Sequence, residues 1–121
     1  MVAVLLVEDE PLILDLLEEA LREQGLEVRP AHTGGEAVAV LEAEPRSFAA
    51  VVTDINLGDN ISGFEVAHRA RVLNAAVKVV YVTGRPSNIL LADEYALLFP
   101  KPFDVYELAD RVRLLLSPPR S

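Results

Sequence analysis

The sequence predicts an α/β fold, a parallel sheet covered by helices on both faces, and three observations carry that prediction. Apolar runs of strand length alternate with segments of helical period along the whole chain. The strand runs are close to continuously apolar, as strands buried on both faces must be. Breakers separate the segments: Gly25, Pro45, Gly58, Gly84 and Pro100. Five βα units in succession imply parallel neighbours joined by right-handed crossovers. The 121 residues, 51% of them hydrophobic, amount to one domain with a sizeable core.

Val2–Val7 is the first strand. Pro11 follows at a position where a first-turn proline is tolerated, and Leu12, Ile13, Leu16, Leu17, Ala20 and Leu21 read as the buried face of the first helix. Asp15, Glu18, Glu19, Arg22 and Glu23 take its solvated face, and Gly25 stops it. Glu27–Ala31 is a short second strand, and Gly34–Glu44 a second helix ended by Pro45. Phe48–Thr53 is the third strand, Asn56–Ser62 a loop, and Phe64–Leu73 the third helix. Lys78–Val82 is the fourth strand, broken by Thr83-Gly84-Arg85-Pro86, with a short helix over Ser87–Glu94. Ala96–Phe99 is a fifth strand whose end at Pro100 suits a sheet edge. Asp104 caps a last helix with Val105, Leu108, Val112 and Leu115 on its buried face. Tyr81, Phe48, Phe64 and Phe103 are expected in the core.

Composition excludes several classes. A formal net charge of −8, with no basic run, argues against direct binding to nucleic acid. No apolar run approaches the length of a spanning helix, which argues against membrane insertion. There is no cysteine, so disulfides and thiolate metal sites are out. The amino terminus lacks a basic start and cleavage site, so a cytoplasmic location is the expectation. His32 and His68 stand apart, in no ligand pattern.

Chemistry gathers at strand ends. Glu8-Asp9 follows the first strand, Asp54 the third, Thr83 the fourth and Lys101-Pro102 the fifth. Carboxylates at the carboxyl ends of parallel strands can share one crevice and hold a hard divalent cation. A lysine there adds positive charge where phosphoryl oxygens would sit. Singly, each residue has a plainer reading. Glu8-Asp9-Glu10 can cap a helix, Asp54 and Thr83 can form turns, and Lys101 can be solvated.

Together, Leu6-Val7-Glu8-Asp9-Glu10, Asp54, Thr83-Gly84 and Lys101-Pro102-Phe103 make the chain resemble the receiver domain of bacterial response regulators, over essentially its whole length. The resemblance implies a flavodoxin-like sheet of strand order 2-1-3-4-5, with the switch point between strands 1 and 3. It implies Asp54 as the phosphoryl acceptor and Mg²⁺ held by Glu8, Asp9, Asp54 and the Asn56 backbone carbonyl. Lys101 and the Thr83 hydroxyl would bind phosphoryl oxygens, and Pro102 would follow a cis bond that aims the lysine. The donor would be a histidine kinase or histidine phosphotransfer protein, docked in part on the first helix near Leu12. Output would pass to a downstream protein as Thr83 is drawn inward. The protein would be a phosphoacceptor rather than an enzyme, with catalysis of its own phosphorylation from small donors and of its own dephosphorylation left open.

The expected organisation is a receiver over residues 1–117 and a tail over 118–121, a free-standing chain of the chemotaxis type without an effector domain. Leu98 stands where the family usually has Tyr or Phe, and Phe99, one residue on, should face the other way. The span from Thr83 to Lys101 is about one turn short, so the fourth helix should be short or irregular. Leu57–Gly63 is one residue longer than common. These departures leave a phosphorylation-independent interaction module as the alternative. A flavodoxin-type cofactor binder lacks a phosphate loop after the first strand, where three acids would repel a phosphate. A phosphatase would want an acid where Asn56 stands.

Overall fold

The computed structural model describes residues 3–84 and 96–117. They form β1 (Ala3–Val7), α1 (Pro11–Glu23), β2 (Glu27–Ala31), α2 (Gly34–Ala43), β3 (Ala50–Asp54), α3 (Gly63–Leu73), β4 (Lys78–Thr83), β5 (Leu97–Pro100) and α4 (Val105–Leu116). The five strands lie in order β2-β1-β3-β4-β5, and every neighbouring pair is parallel. The expected α/β, flavodoxin-like order is therefore the one found. The expected helix over Ser87–Glu94, with Arg85 and Tyr95, lies outside the described residues.

Alternation along the central strands divides the core in two. Val4, Leu6, Ala50, Val52, Val80 and Val82 face α1 and α4, where Leu14, Leu17, Leu21, Leu108 and Val112 meet them. Leu5, Val7, Val51, Val79 and Tyr81 face α2 and α3, where Ala37, Leu41, Val66, Ala67 and Ala70 meet them. This two-sided burial is why β1 and β3 read as unbroken apolar runs. Leu98 joins the layer of α2 and α3, whereas Phe99 joins that of α1 and α4, so the two do face opposite ways. Phe48 and Tyr81 are buried as expected, while Phe64 and Phe103 are only partly so.

Several sequence assignments need correction. Leu12 is 72% exposed and Leu16 44%, so neither belongs to the buried face of α1. That face is Leu14, Leu17, Ala20 and Leu21: the last three stand in the assigned stripe, and Leu14 is the residue it left out. The third strand begins at Ala50 rather than Phe48 and includes Asp54, which pairs with Val82. Asp54 thus sits on the sheet itself rather than in the loop beyond it.

Local chemistry sets the helix ends. Pro11 opens α1, and the Arg22 and Leu21 carbonyls close it at Gly25 and Gln24. Gly25 has φ +85°, the left-handed turn that glycine makes without strain. Asp104 accepts from the Tyr106 and Glu107 amides at the start of α4. A reciprocal capping box starts α3: the Ser62 hydroxyl accepts the Glu65 amide at 3.3 Å, and the Glu65 carboxylate accepts the Ser62 amide at 3.5 Å. The expected start at Phe64 is therefore one residue late, because Ser62 is the cap. Ser62→Ala is expected to lower the unfolding free energy in urea by about 1 kcal/mol, the usual worth of such a cap.

Candidate functional site

Parallel strands deliver their carboxyl ends to one edge of the sheet, and the register fixes which residues meet there. Val7 pairs with Thr53 across β1 and β3, so Glu8 and Asp54, the next residues, stand side by side. Thr83 pairs with Pro100 across β4 and β5, which brings Lys101 to the same edge. The Glu8 amide donates to the Ala31 carbonyl at 3.1 Å, and the Lys101 amide to the Thr83 carbonyl at 2.7 Å. The Lys101–Pro102 bond is cis.

Lys101 is the centre of the charge arrangement. Its Nζ lies 2.8 Å from Asp54 Oδ2, 3.2 Å from Glu8 Oε1 and 3.6 Å from Glu10 Oε1. Glu8 is 1% exposed and Asp54 5%, so both carboxylates have lost most of their water. The second oxygen of Asp54, Oδ1, accepts the Asn56 backbone N–H at 3.1 Å. Glu8 Oε2 accepts the Glu10 amide at 3.2 Å. Thr83 is fully buried at the end of β4, and Asp9 and Asn56 are exposed.

Burial pushes the Glu8 carboxyl up to about 7, with the Asp54 charge adding to the rise and the Glu10 amide and Lys101 opposing it. Burial alone would lower the Lys101 ammonium, but the hydrogen bond and charge of Asp54, then those of Glu8, overcome it and raise it. The lysine is held charged, while the acids remain short of positive charge. Among the described residues Glu8, Glu10 and Asp54 surround the one ammonium, Asp9 lies beside Glu8 and Glu10, and all their donors are hard oxygens. That set suits a divalent cation such as Mg²⁺. Carboxylate oxygens of Glu8, Asp9 and Glu10 come within 4.8 Å of one another, whereas Asp54 is turned toward Lys101.

The structure thus brings Glu8, Asp54 and Lys101 into direct contact, sets Asn56 on Asp54 through its amide, and places Asp9 and Thr83 at the ends of β1 and β4. Sequence reading named Glu10 only as part of the acidic run Glu8-Asp9-Glu10 and gave it no site role, whereas it shares the lysine. As the N-cap of α1, Glu10 makes no side-chain cap bond, so the plainer capping account does not describe it. Its spacing of two from Glu8 was the available signal. Sequence reading also passed over Gly63. A Cβ there would clash with the Asp54 carbonyl oxygen, so only a glycine lets α3 start against β3.

A doubly wound parallel sheet, with acids and a lysine gathered at the carboxyl ends of its first, third and fifth strands, has close counterparts among known proteins. The family model described as the response regulator receiver domain matches residues 4–113. The chain belongs to that family, whose general role is phosphoacceptor signalling in two-component systems. The transcriptional regulatory protein TrcR of Mycobacterium tuberculosis is 34% identical over 122 residues, covering 95% of this chain and 45% of TrcR. The chain spans about half the length of this and the next curated relatives it matches. A response regulator receiver protein from Sinorhizobium medicae WSM419 superposes with a TM-score of 0.84 at 27% identity, over 95% of each chain. TrrA from Thermotoga maritima, solved in complex with Mg²⁺-BeF, superposes with a TM-score of 0.79 at 32% identity, over 96% of this chain and all of that one. Among the described residues no helix is long and apolar enough to cross a membrane.

Proposed function

We propose that this chain is a Mg²⁺-dependent phosphoryl-accepting switch with Asp54 as the acceptor. The observation that carries the proposal is the environment of Asp54: a carboxylate on the last residue of the acceptor strand, desolvated, with the Lys101 ammonium on one oxygen and the Asn56 amide on the other. Such a carboxylate is oriented and within reach of a phosphoryl group, and the donors around it are already aimed at oxygen.

In the proposed step an Asp54 oxygen forms a bond to phosphorus while the bond from phosphorus to the donor's imidazole nitrogen breaks. That nitrogen keeps the electron pair. Lys101 moves from the Asp54 carboxylate to a phosphoryl oxygen, and the Thr83 hydroxyl takes another. Glu8, Asp9, Asp54 and the Asn56 carbonyl would hold Mg²⁺, which offsets the charge of acceptor and donor as they approach. The structure of TrrA in complex with Mg²⁺-BeF supports Mg²⁺ binding to this fold. The donor is a histidine kinase or histidine phosphotransfer protein. Leu12 and Leu16, exposed on α1 beside the site, suit the docking of such a partner. Output would go to a downstream protein, with action in the cytoplasm.

Intact-protein mass after incubation with acetyl phosphate tests the reading. A gain of one phosphoryl group is expected with Mg²⁺, and none with chelator or in Asp54→Asn. Labelling that persists in Asp54→Asn would remove Asp54 as acceptor. No labelling of the wild-type chain, under conditions that label another receiver, would favour the phosphorylation-independent module to which Leu98 points.

A further inference from the structure

The loop between β3 and α3, residues 55–62, is fastened to a helix that supplies none of the site carboxylates. Asp59 lies in this loop. Its Oδ1 accepts the Gly34 amide at 3.3 Å and its Oδ2 the Gly35 amide at 3.1 Å, the first two residues of α2. These amides have no carbonyl partner within the helix, and the positive end of the helix favours a carboxylate there. The helix already carries its own cap, since Thr33 Oγ1 accepts the Glu36 amide at 3.0 Å. Asp59 is therefore an additional bond across a sequence gap of 24 to 25 residues. The loop backbone also presses on the same helix end, where a Cβ on Gly34 would lie 2.5 Å from the Ile61 carbonyl oxygen.

The other side of the loop meets the acidic site. The Asn56 amide is bound to Asp54 Oδ1, and at Gly58, with φ +75°, a Cβ would stand 3.1 Å from Asp9 Oδ2. Asn56 and Gly58 are close neighbours of Asp59 in sequence, so displacement at the clamp reaches both of the loop's contacts with the site.

We propose that Asp59 is a positioning residue: by bridging the first amides of α2 it fixes the loop that holds the Asn56 backbone on Asp54 and closes against Asp9. The inference rests on the reading of that site as a Mg²⁺-loaded phosphoryl acceptor. It assigns to Asp59 the support of metal ligands that it does not itself touch.

Two measurements on the full chain test it: Mg²⁺ affinity by titration calorimetry and hydrogen exchange of the Asn56 amide by NMR. They are made on the wild type, Asp59→Ala, Asp59→Asn and Thr33→Ala. Thr33→Ala removes a bond from the same helix end without touching the loop, so it reports what loosening α2 does by itself. Asp59→Ala is expected to weaken Mg²⁺ binding by about tenfold, the scale of losses when support for a metal ligand is removed. It is also expected to speed exchange at Asn56. Asp59→Asn, which keeps an acceptor oxygen but loses the charge, should fall between, and Thr33→Ala should match the wild type in both. Wild-type affinity or wild-type Asn56 protection in Asp59→Ala overturns the proposal, as does equal weakening by Thr33→Ala. Should the wild-type chain bind no Mg²⁺, the metal reading fails separately, and Asn56 exchange alone decides the clamp.

Discussion

Gly63→Ala is expected to lower the unfolding free energy by about 3 kcal/mol, the upper part of the range for forcing an extra carbon into a packed site. Propensity argues the other way, because alanine in a helix is favoured over glycine by about 1 kcal/mol. The geometry decides between them. The added methyl would clash with the Asp54 carbonyl oxygen and meet the Asp54 carbonyl carbon and the Ile55 Cα, each at 2.9 Å. All three are backbone atoms of β3 and its exit, held by the Val82 carbonyl on the Ile55 amide and by the ladder to β4. No rotamer change relieves such a contact, so α3 must move off the sheet. That movement would also strain the bond from the Gly63 amide to the Ile55 carbonyl, 2.9 Å long. Urea unfolding of Gly63→Ala beside Ser62→Ala checks the size, since the neighbouring cap variant should lose only about a third as much. A Gly63→Ala variant as stable as the wild type would show that the start of α3 is free to move aside. The same displacement should slow labelling at Asp54, which the mass measurement reads directly.

The fold was legible because its signals are periodic. Val4, Leu5, Leu6 and Val7 announce a strand with two buried faces whatever their partners are. The site was legible for a related reason: in a parallel sheet the carboxyl end of every strand faces the same edge, so Glu8, Asp54, Thr83 and Lys101 could be placed together once the family resemblance supplied the strand order. Contacts between loops were not legible. Asp59 reaches Gly35 across 24 residues, and Gly63 matters only because Asp54 lies beneath it. Neither relation leaves a trace in local spacing. The box of Ser62 and Glu65 is a different case, since a serine three residues before a glutamate at the head of an apolar helix is a local signature. It was passed over because Gly63 drew the loop one residue too far. Leu12 and Leu16 show the limit of stripe counting: either of two adjacent stripes on α1 fits the spacing, and only packing on β1 and α4 chooses.

Lys101→Met is expected to lose about 3 kcal/mol of unfolding free energy in chelator, the scale for removing one partner of a buried ion pair. Methionine keeps most of the aliphatic length, so the loss should reflect charge rather than a cavity. Among the described residues the lysine is the cation in contact with both Glu8 and Asp54, and without it two carboxylates of 1% and 5% exposure are left with backbone amides and no described cation. Glu8 is already raised to about 7 with the lysine present. The fold therefore disfavours its ionised form, and loss of the ammonium can only deepen that. Two companion measurements separate this account from simple packing damage. Glu8→Gln removes a disfavoured charge rather than a favoured one, so in chelator at neutral pH it should hold or gain stability. Millimolar Mg²⁺ should return a large part of what Lys101→Met lost, because a divalent cation bound to the folded state stabilises it by mass action and supplies the missing charge. The variant should also bind Mg²⁺ more tightly than the wild type, since the ammonium that repels the ion and occupies Asp54 Oδ2 is gone. An equal loss in chelator and in Mg²⁺ would mean that the lysine stem, rather than its charge, holds this edge of the sheet. Labelling by acetyl phosphate should still fall in Lys101→Met at saturating Mg²⁺, because no ammonium remains to receive the phosphoryl oxygen. The one substitution would then separate what the lysine does for the resting fold from what it does for the transferred group.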